Sequence, residues 1–401
     1  MQGWVRPRGR HDLTRRSWLG GGLALSLAGC NSSGIELPGI AVGTANAPSP
    51  SPKGGPTVGE TLGAGPVRVG MILPLTQNGA PSSVGASMRN AAQLAMDDFA
   101  GPYITLMIQD DRSTPDGAAQ AAQAELGAGA TLILGPVFAN DVRSAAAAAR
   151  AAGRPMIAFS TDATVAAPGV YLLSFLIEGY VDRIIQFAAS KDKKSFAALA
   201  PQSDYGNIAV PRFEQVATRL NAHVVVVGRY SAGQPASAVQ EVAAAASQID
   251  ALFISEQADG MPAVAAALAS SNVKTQYLGT GVWNDGRVLR LPQLQGAWFS
   301  APENSGFNAF AQRYRAKFNG DPVRLATLAY DAVTLAGALA RGGAPDPYNE
   351  RALTSVSGFT GADGVFRFRA DGTNERGLAV MEINAGAATV ISPAPRSFAA
   401  G

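Results

Sequence analysis

From residue 67 onward, short runs of apolar residues alternate with longer segments whose apolar positions recur every three or four residues. The short runs predict β-strands and the longer segments predict α-helices. In the first part of this region, strands are predicted at 67–73, 104–109, 131–134 and 155–159, and helices between them at 85–99, 114–126 and 140–152. A repeated βα unit predicts a parallel sheet covered by helices on both faces.

A second series of the same kind follows, and two such series exceed one sheet of ordinary size. Its predicted strands are 196–200, 224–227, 251–254 and 276–278, and its predicted helices are 208–220, 237–246 and 261–270. After it come a strand at 298–301, helices at 306–318 and 324–341, and strands at 365–368 and 379–383 that predict a hairpin. The predicted fold class is therefore α/β with two lobes, each a mainly parallel sheet flanked by helices.

The first 29 residues differ from the rest and have the pattern of an export signal. Five arginines precede an apolar run at 18–28, which is far shorter than the roughly 20 residues that span a bilayer. Residues 14–19 resemble the twin-arginine export motif, and residues 27–30 resemble the bacterial lipobox that ends in a lipidated cysteine. We therefore expect a signal peptide at 1–29 and lipidation of Cys30; the alternative is that Cys30 is an ordinary residue of a cleaved signal. Residues 30–65, rich in Ser, Pro and Gly, then predict a disordered linker.

Composition excludes several classes of function. The chain carries a formal charge of +2, but the signal segment alone contributes +4, so the mature chain is at −2 and has no basic patch for nucleic acid. A single cysteine rules out an intramolecular disulfide, and one histidine in the mature part rules out a zinc site built on histidines. The sequence has no Gly-x-Ser-x-Gly elbow and no phosphate-binding glycine loop. We predict a protein that is not an enzyme and has no metal or cofactor.

The candidate binding loops follow directly from the predicted strands. In doubly wound sheets, ligands bind at the carboxyl ends of the strands. Residues 135–138, 160–162 and 279–281 each come directly after a strand. If the two lobes face each other, these loops line the cleft between them.

Segments spread over nearly the whole mature chain resemble the leucine/isoleucine/valine-binding family. They are 69–76, the Asp-Asp…Ser…Pro pattern at 110–115, and the stretches 134–136, 155–160 and 203–206. The resemblance implies the type I periplasmic-binding fold with three hinge crossings, lobe one being 66–178 plus 304–345 and lobe two 179–303 plus 346–393. It also implies capture of a small ligand for an ABC transporter, or its presentation to a partner.

A narrower resemblance points to a different function. Residues 132–139, 157–160 and 169–175 are similar to bacterial lipoproteins called penicillin-binding-protein activators. Proteins of that group share the fold but regulate cell-wall synthases by direct contact. Two functions therefore compete: binding of a small, amino-acid-like ligand for transport, and regulation of peptidoglycan synthesis by contact with a penicillin-binding protein.

In lobe one, the resemblance places Ser160 where amino-acid-binding relatives use a hydroxyl for the ligand carboxylate. Asp162 stands where threonine is usual, and a carboxylate there would repel the ligand carboxylate unless it points away. Phe138 replaces a polar loop residue and removes another donor. The hinge segment 172–178 has lost the family's arginine and proline and is apolar up to Glu178.

In lobe two, Tyr205 matches the aromatic that faces the ligand, or else it caps the lobe. The acid that holds the ligand ammonium has no clear counterpart; Glu256 and Asp285 are candidates, and solvated surface is the alternative for each. Trp283 either stacks on a ligand or packs in the core or at the rim. The candidate ligand-binding residues are Phe138, Ser160, Thr161, Asp162, Tyr205, Glu256 and Trp283.

The sequence as a whole predicts a non-catalytic periplasmic lipoprotein, anchored to the membrane by its lipid. The expected partners are a small-molecule ligand, an amino acid or peptide, together with an ABC permease or a penicillin-binding protein.

Overall fold

The computed structural model describes residues 59–98, 102–271 and 273–398. The predicted signal peptide, Cys30 and most of the predicted linker lie outside these residues. The described strands are β1 (Glu60–Leu62), β2 (Val67–Leu73), β3 (Thr76–Gln77), β4 (Ala80–Pro81), β5 (Ile104–Asp110), β6 (Leu132–Leu134), β7 (Met156–Ala158), β8 (Val170–Leu172), β9 (Ser195–Pro201), β10 (His223–Tyr230), β11 (Ala251–Ile254), β12 (Gln276–Gly279), β13 (Trp298–Ala301), β14 (Phe359–Gly361), β15 (Gly364–Phe368), β16 (Asn374–Arg376), β17 (Ala379–Asn384) and β18 (Ala387–Ser392).

The described helices alternate with the strands over most of the chain. They are α1 (Ser83–Asp98), α2 (Pro115–Gly127), α3 (Ala139–Ala151), α4 (Ile177–Ser190), α5 (Asp204–Arg219), α6 (Ala236–Ala244), α7 (Met261–Ser271), α8 (Gly286–Leu289), α9 (Asn304–Phe318), α10 (Ala326–Arg341) and α11 (Glu350–Leu353). Side-chain hydrogen bonds to backbone N–H groups cap the starts of some helices. The Thr114 hydroxyl accepts the Gly117 N–H with proline at the first position of α2, and the Ser203 hydroxyl accepts the Gly206 N–H at the start of α5.

Lobe one is built on a six-stranded sheet in the order β1-β5-β2-β6-β7-β8. All neighbours in it are parallel except β1, which pairs antiparallel with β5. Strands such as β6 are buried over their whole length, because helices cover both faces of a parallel sheet. One apolar layer joins the sheet to α1 and α10, and the layer on the other face joins it to α2 and α3.

Lobe two is built on a seven-stranded sheet in the order β10-β9-β11-β12-β13-β17-β18. The first five strands are parallel, and β17 and β18 extend the sheet antiparallel. Helices α4 and α5 cover one face, and α6 and α7 cover the other. The α/β class and the two mainly parallel, helix-flanked sheets are confirmed.

Two parts of the predicted division differ from the structure. Strand β1 lies inside the predicted linker 30–65, since its three residues pair with β5. The chain from Tyr348 to Leu378, predicted to belong to lobe two, contributes buried side chains to the core of lobe one. The third crossing between lobes therefore lies at 377–378, between β16 and β17. The other two crossings lie at 173–176 and 302–303.

The predicted hairpin of 365–368 with 379–383 is wrong. Strand β15 pairs with β14 and β16 in a small antiparallel sheet, whereas β17 pairs with β13 and β18 in lobe two. The short polar segment 374–376 forms β16, which separates the two apolar strands. Its role depends on tertiary pairing that apolar periodicity does not report.

Candidate functional site

The loop after β7 carries Ser160, Thr161 and Asp162. Most of the polar groups of this loop form their hydrogen bonds within lobe one itself. Ser160 is buried, and its hydroxyl accepts the Asp162 N–H at 3.1 Å. Thr161 is half-buried beside it. The loop after β6 contributes Phe138, which precedes α3, is half-buried and packs against the core of lobe one.

Asp162 has local partners for its carboxylate. It caps the short 3₁₀ helix Ala163–Val165, and its Oδ1 accepts the Thr164 N–H at 2.9 Å and the Thr164 hydroxyl at 2.6 Å. Its Oδ2 accepts from Arg143 Nη2 at 3.1 Å. Aspartate is a strong helix-capping residue, which accounts for its presence here. The Asp162 carboxylate is therefore directed at Arg143 and Thr164 of its own lobe.

Tyr205 lies in the first turn of α5 and is almost completely buried. Its hydroxyl and that of Thr280, which follows β12, are 2.6 Å apart. Burial raises the pKa of the Tyr205 phenol, so it stays protonated and can donate to Thr280. This pair joins the ends of two lobe-two elements, as expected if Tyr205 caps the lobe.

Glu256 follows β11 and is 7% exposed, so the solvated-surface interpretation is wrong for this residue. Its Oε2 accepts from the Tyr230 hydroxyl at 2.9 Å, and its Oε1 accepts the Gln257 N–H at 2.8 Å. A Cβ on Gly260 would lie 2.4 Å from the Glu256 carboxyl carbon, so the acid is enclosed from that side. Asp285 instead caps α8 and pairs with Arg287.

Trp283 is fully buried in the core of lobe two. Its Nε1 donates to the Glu256 carbonyl at 3.2 Å, and a Cβ on Gly279 would lie 2.2 Å from its ring. The core interpretation is therefore the one the structure supports. A ring with no exposed surface cannot stack on a ligand in this conformation.

Glu178 is an acid that the sequence analysis did not include among the ligand-binding residues. It lies in the first turn of α4, directly after the first crossing, and its Oε2 is inaccessible and has no hydrogen-bond partner among the described residues. Burial raises its pKa; Arg212 opposes this, while Asp182 and Asp162 add to it. The available signal was that Glu178 is the first acid after the apolar hinge segment.

The structure brings some of the predicted residues together and leaves others apart. Asp162 of lobe one lies close enough to Glu178 for their charges to interact, and Glu178 acts in the same way on Tyr205. We call these three residues, which are linked by electrostatic interaction and by no direct hydrogen bond, the hinge-side cleft group. Trp283 lies in the core, and Glu256 is directed at Tyr230 and Gln257.

The described parts of the chain contain neither a candidate metal site nor a candidate membrane span. Across residues 59–98, 102–271 and 273–398, no three His, Cys, Asp or Glu side chains are grouped so that they could hold a metal ion. In the same ranges, no helix is both long enough and apolar enough to cross a membrane.

Comparisons with known proteins agree with this architecture. A family model described as periplasmic binding protein matches residues 66–388. No curated protein sequence matches the chain at a significant level.

Many solved structures are similar to this one. A putative branched-chain amino acid ABC transporter protein from Rhodospirillum rubrum has a TM-score of 0.73 at 18% identity, covering 81% of this chain and 99% of that one. A Desulfitobacterium hafniense ABC transporter substrate-binding protein in complex with Leu has a TM-score of 0.61 at 16% identity, covering 81% and 99%. A solute-binding protein from R. palustris in complex with benzoate has a TM-score of 0.57 at 20% identity, covering 82% and 97%. At these identities the likeness establishes the fold.

Proposed function

Because this chain belongs to the periplasmic binding protein family, which is non-catalytic, we propose that it binds a small solute between its lobes and delivers it to an ABC transporter. The observation that carries the proposal is Glu178, which begins lobe two directly after the first crossing and whose buried Oε2 has no hydrogen-bond partner among the described residues. The solved relatives support it, since two of them were crystallised with leucine and with benzoate.

Within this proposal, Glu178 is the residue that receives a ligand ammonium group. Arg212 is bound by Asp182 through two contacts, and Arg143 is paired with Asp162, so the neighbouring cations already have carboxylate partners. Glu178 Oε2 has none among the described residues. A buried acid oxygen without a donor is stabilised when a cation reaches it. An amino-acid-like solute carries such a cation.

Thermal denaturation of the mature chain with leucine, other amino acids, short peptides and benzoate tests the proposal. A ligand at a hundredfold excess over its dissociation constant stabilises the folded state by about 2.7 kcal/mol. Glu178→Gln should weaken binding of ammonium-bearing ligands, whereas Glu214→Gln, an exposed change on α5, should not. Absence of a shift with every small ligand would overturn the proposal.

The second candidate function is regulation of a penicillin-binding protein by contact. The observation that favours it is that Ser160, Asp162 and Tyr205 already have partners within their own lobes, while Phe138 offers no polar group. Co-purification of a penicillin-binding protein with the mature chain, together with no small-ligand shift, is the outcome that selects this candidate.

We further propose that the chain is exported and anchored through a lipid on Cys30, which lies outside the described residues. Two or three acyl chains hold a protein firmly at a membrane, whereas a single chain holds it only marginally. Cys30→Ala should move the protein from the membrane fraction to the soluble fraction. Unchanged fractionation would contradict lipid anchoring and leave the binding proposal intact.

A further inference from the structure

The amino ends of the parallel strands of lobe two lie together at one end of that lobe. The turn between α4 and β9 carries Lys191, Lys193 and Lys194, and the turn between α7 and β12 carries Lys274. Only one other lysine, Lys317 on α9 of lobe one, occurs among the described residues. Lysines are therefore concentrated in these turns, which we call the basic end of lobe two.

Strand pairing places the two lysine-bearing turns close to each other. In the strand order β9-β11-β12, Phe196 pairs with Ala251, and Ala251 pairs with Gln276. Lys194 and Lys274 stand at equivalent positions before the first and the last of these strands. Neighbouring strands lie about 4.8 Å apart, so the backbones at these two lysines are roughly 10 Å from each other. That is about one Debye length at 0.1 M salt, so the lysines attract an anionic partner jointly.

The positive charge of this end is not neutralised within the lobe. None of its four lysines forms an ion pair with a described carboxylate, whereas Lys317 pairs with Asp97. The Asp250 Oδ2 instead accepts the backbone N–H groups of Lys194 and Ser195, both at 2.9 Å. The three turns that precede β9, β11 and β12 carry four lysines and two acids, a net charge of +2 in a mature chain of the opposite sign.

An apolar side chain lies at the same end. Leu220 follows α5, is 38% exposed, and stands just before His223, whose N–H donates to the Lys194 carbonyl. Surfaces that bind single-stranded nucleic acid present exposed aromatic rings on which bases stack. Here the ring beside Lys191, that of Phe187, is buried. Cations next to an exposed leucine are typical of surfaces that lie on a lipid bilayer.

We propose that the basic end of lobe two binds the surface of a bilayer that contains anionic phospholipid. The four lysines lie at the phosphate headgroups, and Leu220 reaches the boundary of the acyl chains. A basic residue near such a surface strengthens binding about fivefold. A few lysines hold a free chain weakly, but a tether to the same membrane makes the contact intramolecular and so much more frequent.

This contact would hold lobe two against the membrane and leave lobe one free to move about the three crossings. The inference rests neither on solute binding nor on lipidation of Cys30, because the surface is formed by the folded lobe. The experiments below therefore use the mature chain with Cys30→Ala, which removes the acylation site.

The first experiment is co-sedimentation with vesicles of phosphatidylglycerol mixed with phosphatidylcholine, and with vesicles of phosphatidylcholine alone. The chain should sediment with the anionic vesicles only. About 1 M sodium chloride should release it, because the Debye length then falls to roughly 3 Å. Equal binding to both kinds of vesicle, or binding to neither, contradicts the proposal. So does binding to purified cell-wall polymer without binding to anionic vesicles.

Charge-matched variants test whether the basic end of lobe two makes the contact. Lys193→Gln combined with Lys194→Gln should weaken partitioning to anionic vesicles about 25-fold. Arg150→Gln combined with Arg154→Gln removes the same charge from exposed positions of lobe one and should leave partitioning nearly unchanged. Circular dichroism verifies that both variants are folded. Equal losses in the two variants would show that total charge, and not this surface, determines binding.

A fluorophore locates the contact without removing a lysine. Because Cys30 is the only cysteine, Leu220→Cys in the Cys30→Ala chain gives a single site for an environment-sensitive label. Its emission should shift to the blue when anionic vesicles are added. The control label is at Val356→Cys, a 73% exposed position of lobe one, and should not shift. A shift at Val356→Cys alone would place the contact on the other lobe.

Discussion

The two lobes share one architecture but differ in whether their buried polar groups have hydrogen-bond partners. In lobe one, four buried acids each keep a carboxylate oxygen without a hydrogen-bond partner among the described residues: Asp111, Glu125, Asp141 and Asp331. Burial raises the pKa of each of them. Between about pH 4 and pH 6, lobe one therefore holds several protons in its folded state that the unfolded chain has already released.

In lobe two, several buried polar side chains occur in pairs, and the exceptions among the described residues are Glu178 Oε2 and Ser255 Oγ. Tyr205 is matched with Thr280, Tyr230 with Glu256, and the Trp283 N–H with the Glu256 carbonyl. A hydrogen-bonded pair contributes little net stability. Removing one of its partners is nevertheless costly, because the other is left buried without a hydrogen bond. We therefore expect the stability of lobe one to depend on pH, and that of lobe two to depend on particular partners.

The largest expected effect on stability comes from removing a side chain from the core of lobe two. Trp283→Ala should lower the free energy of unfolding by about 3–5 kcal/mol, because it removes a fully buried ring and leaves a cavity. Denaturant unfolding followed by circular dichroism measures the loss. Trp283→Phe is the matched control, since it retains a ring and loses mainly the N–H donor. A loss below about 1 kcal/mol for the alanine variant would contradict the core position.

The next effect concerns the pH dependence of lobe one. Burial raises the pKa of Asp111 from 3.8 to about 7, so between these values the folded state holds a proton that the unfolded state has lost. Its contribution to stability therefore falls as pH rises from about 4 to about 7, and is constant above that range. Asp111→Asn should leave stability similar at pH 4 and raise it relative to wild type at pH 8, by up to about 4 kcal/mol.

Denaturant unfolding at a series of pH values measures this difference. Asp116→Asn, an exposed change in the first turn of α2, is the control and should show no such trend. A constant difference between Asp111→Asn and wild type across pH would contradict a buried, protonated Asp111.

The smallest expected effect is the loss of stability when one hydrogen-bonded pair of lobe two is disrupted. Tyr205→Phe removes the hydroxyl that meets Thr280 and should cost about 1–2 kcal/mol, since the threonine hydroxyl is left buried without its partner. Thr280→Val alone should cost a similar amount, and the double variant should cost less than the sum. Additive losses would show that the two hydroxyls do not interact.

Much of the fold could be predicted because several of its strands are buried over their whole length. Runs such as 132–134 and 251–254 are apolar throughout, and their order along the chain predicts the parallel sheets. Strand β1 and the sheet β14-β15-β16 were not predicted correctly. Both depend on pairing with distant segments, and β1 and β16 are short and carry polar residues, so local pattern does not identify them.

The candidate site was less predictable, because the sequence shows which residues follow the strands but not where their side chains point. Trp283 and Glu256 follow strands, as ligand-binding residues do, yet one lies in the core and the other is held by Tyr230. Asp162 lies in the loop after β7, and its partners Arg143 and Thr164 could not be identified from the sequence. Glu178 was not predicted as a site residue, because its buried oxygen without a partner among the described residues is visible only in the folded structure.

Strand β1 has a mechanical consequence. The first described strand has three residues paired antiparallel to β5 at the sheet edge, and an ion pair between Glu60 and Arg89 adds to this attachment. Strand β2, next along the chain, lies inside the sheet between β5 and β6. Tension applied through the segment that precedes Glu60 therefore loads the short edge strand first. That strand can detach while the interior strands keep their pairing, so a pull on the N-terminal side need not unfold the lobe.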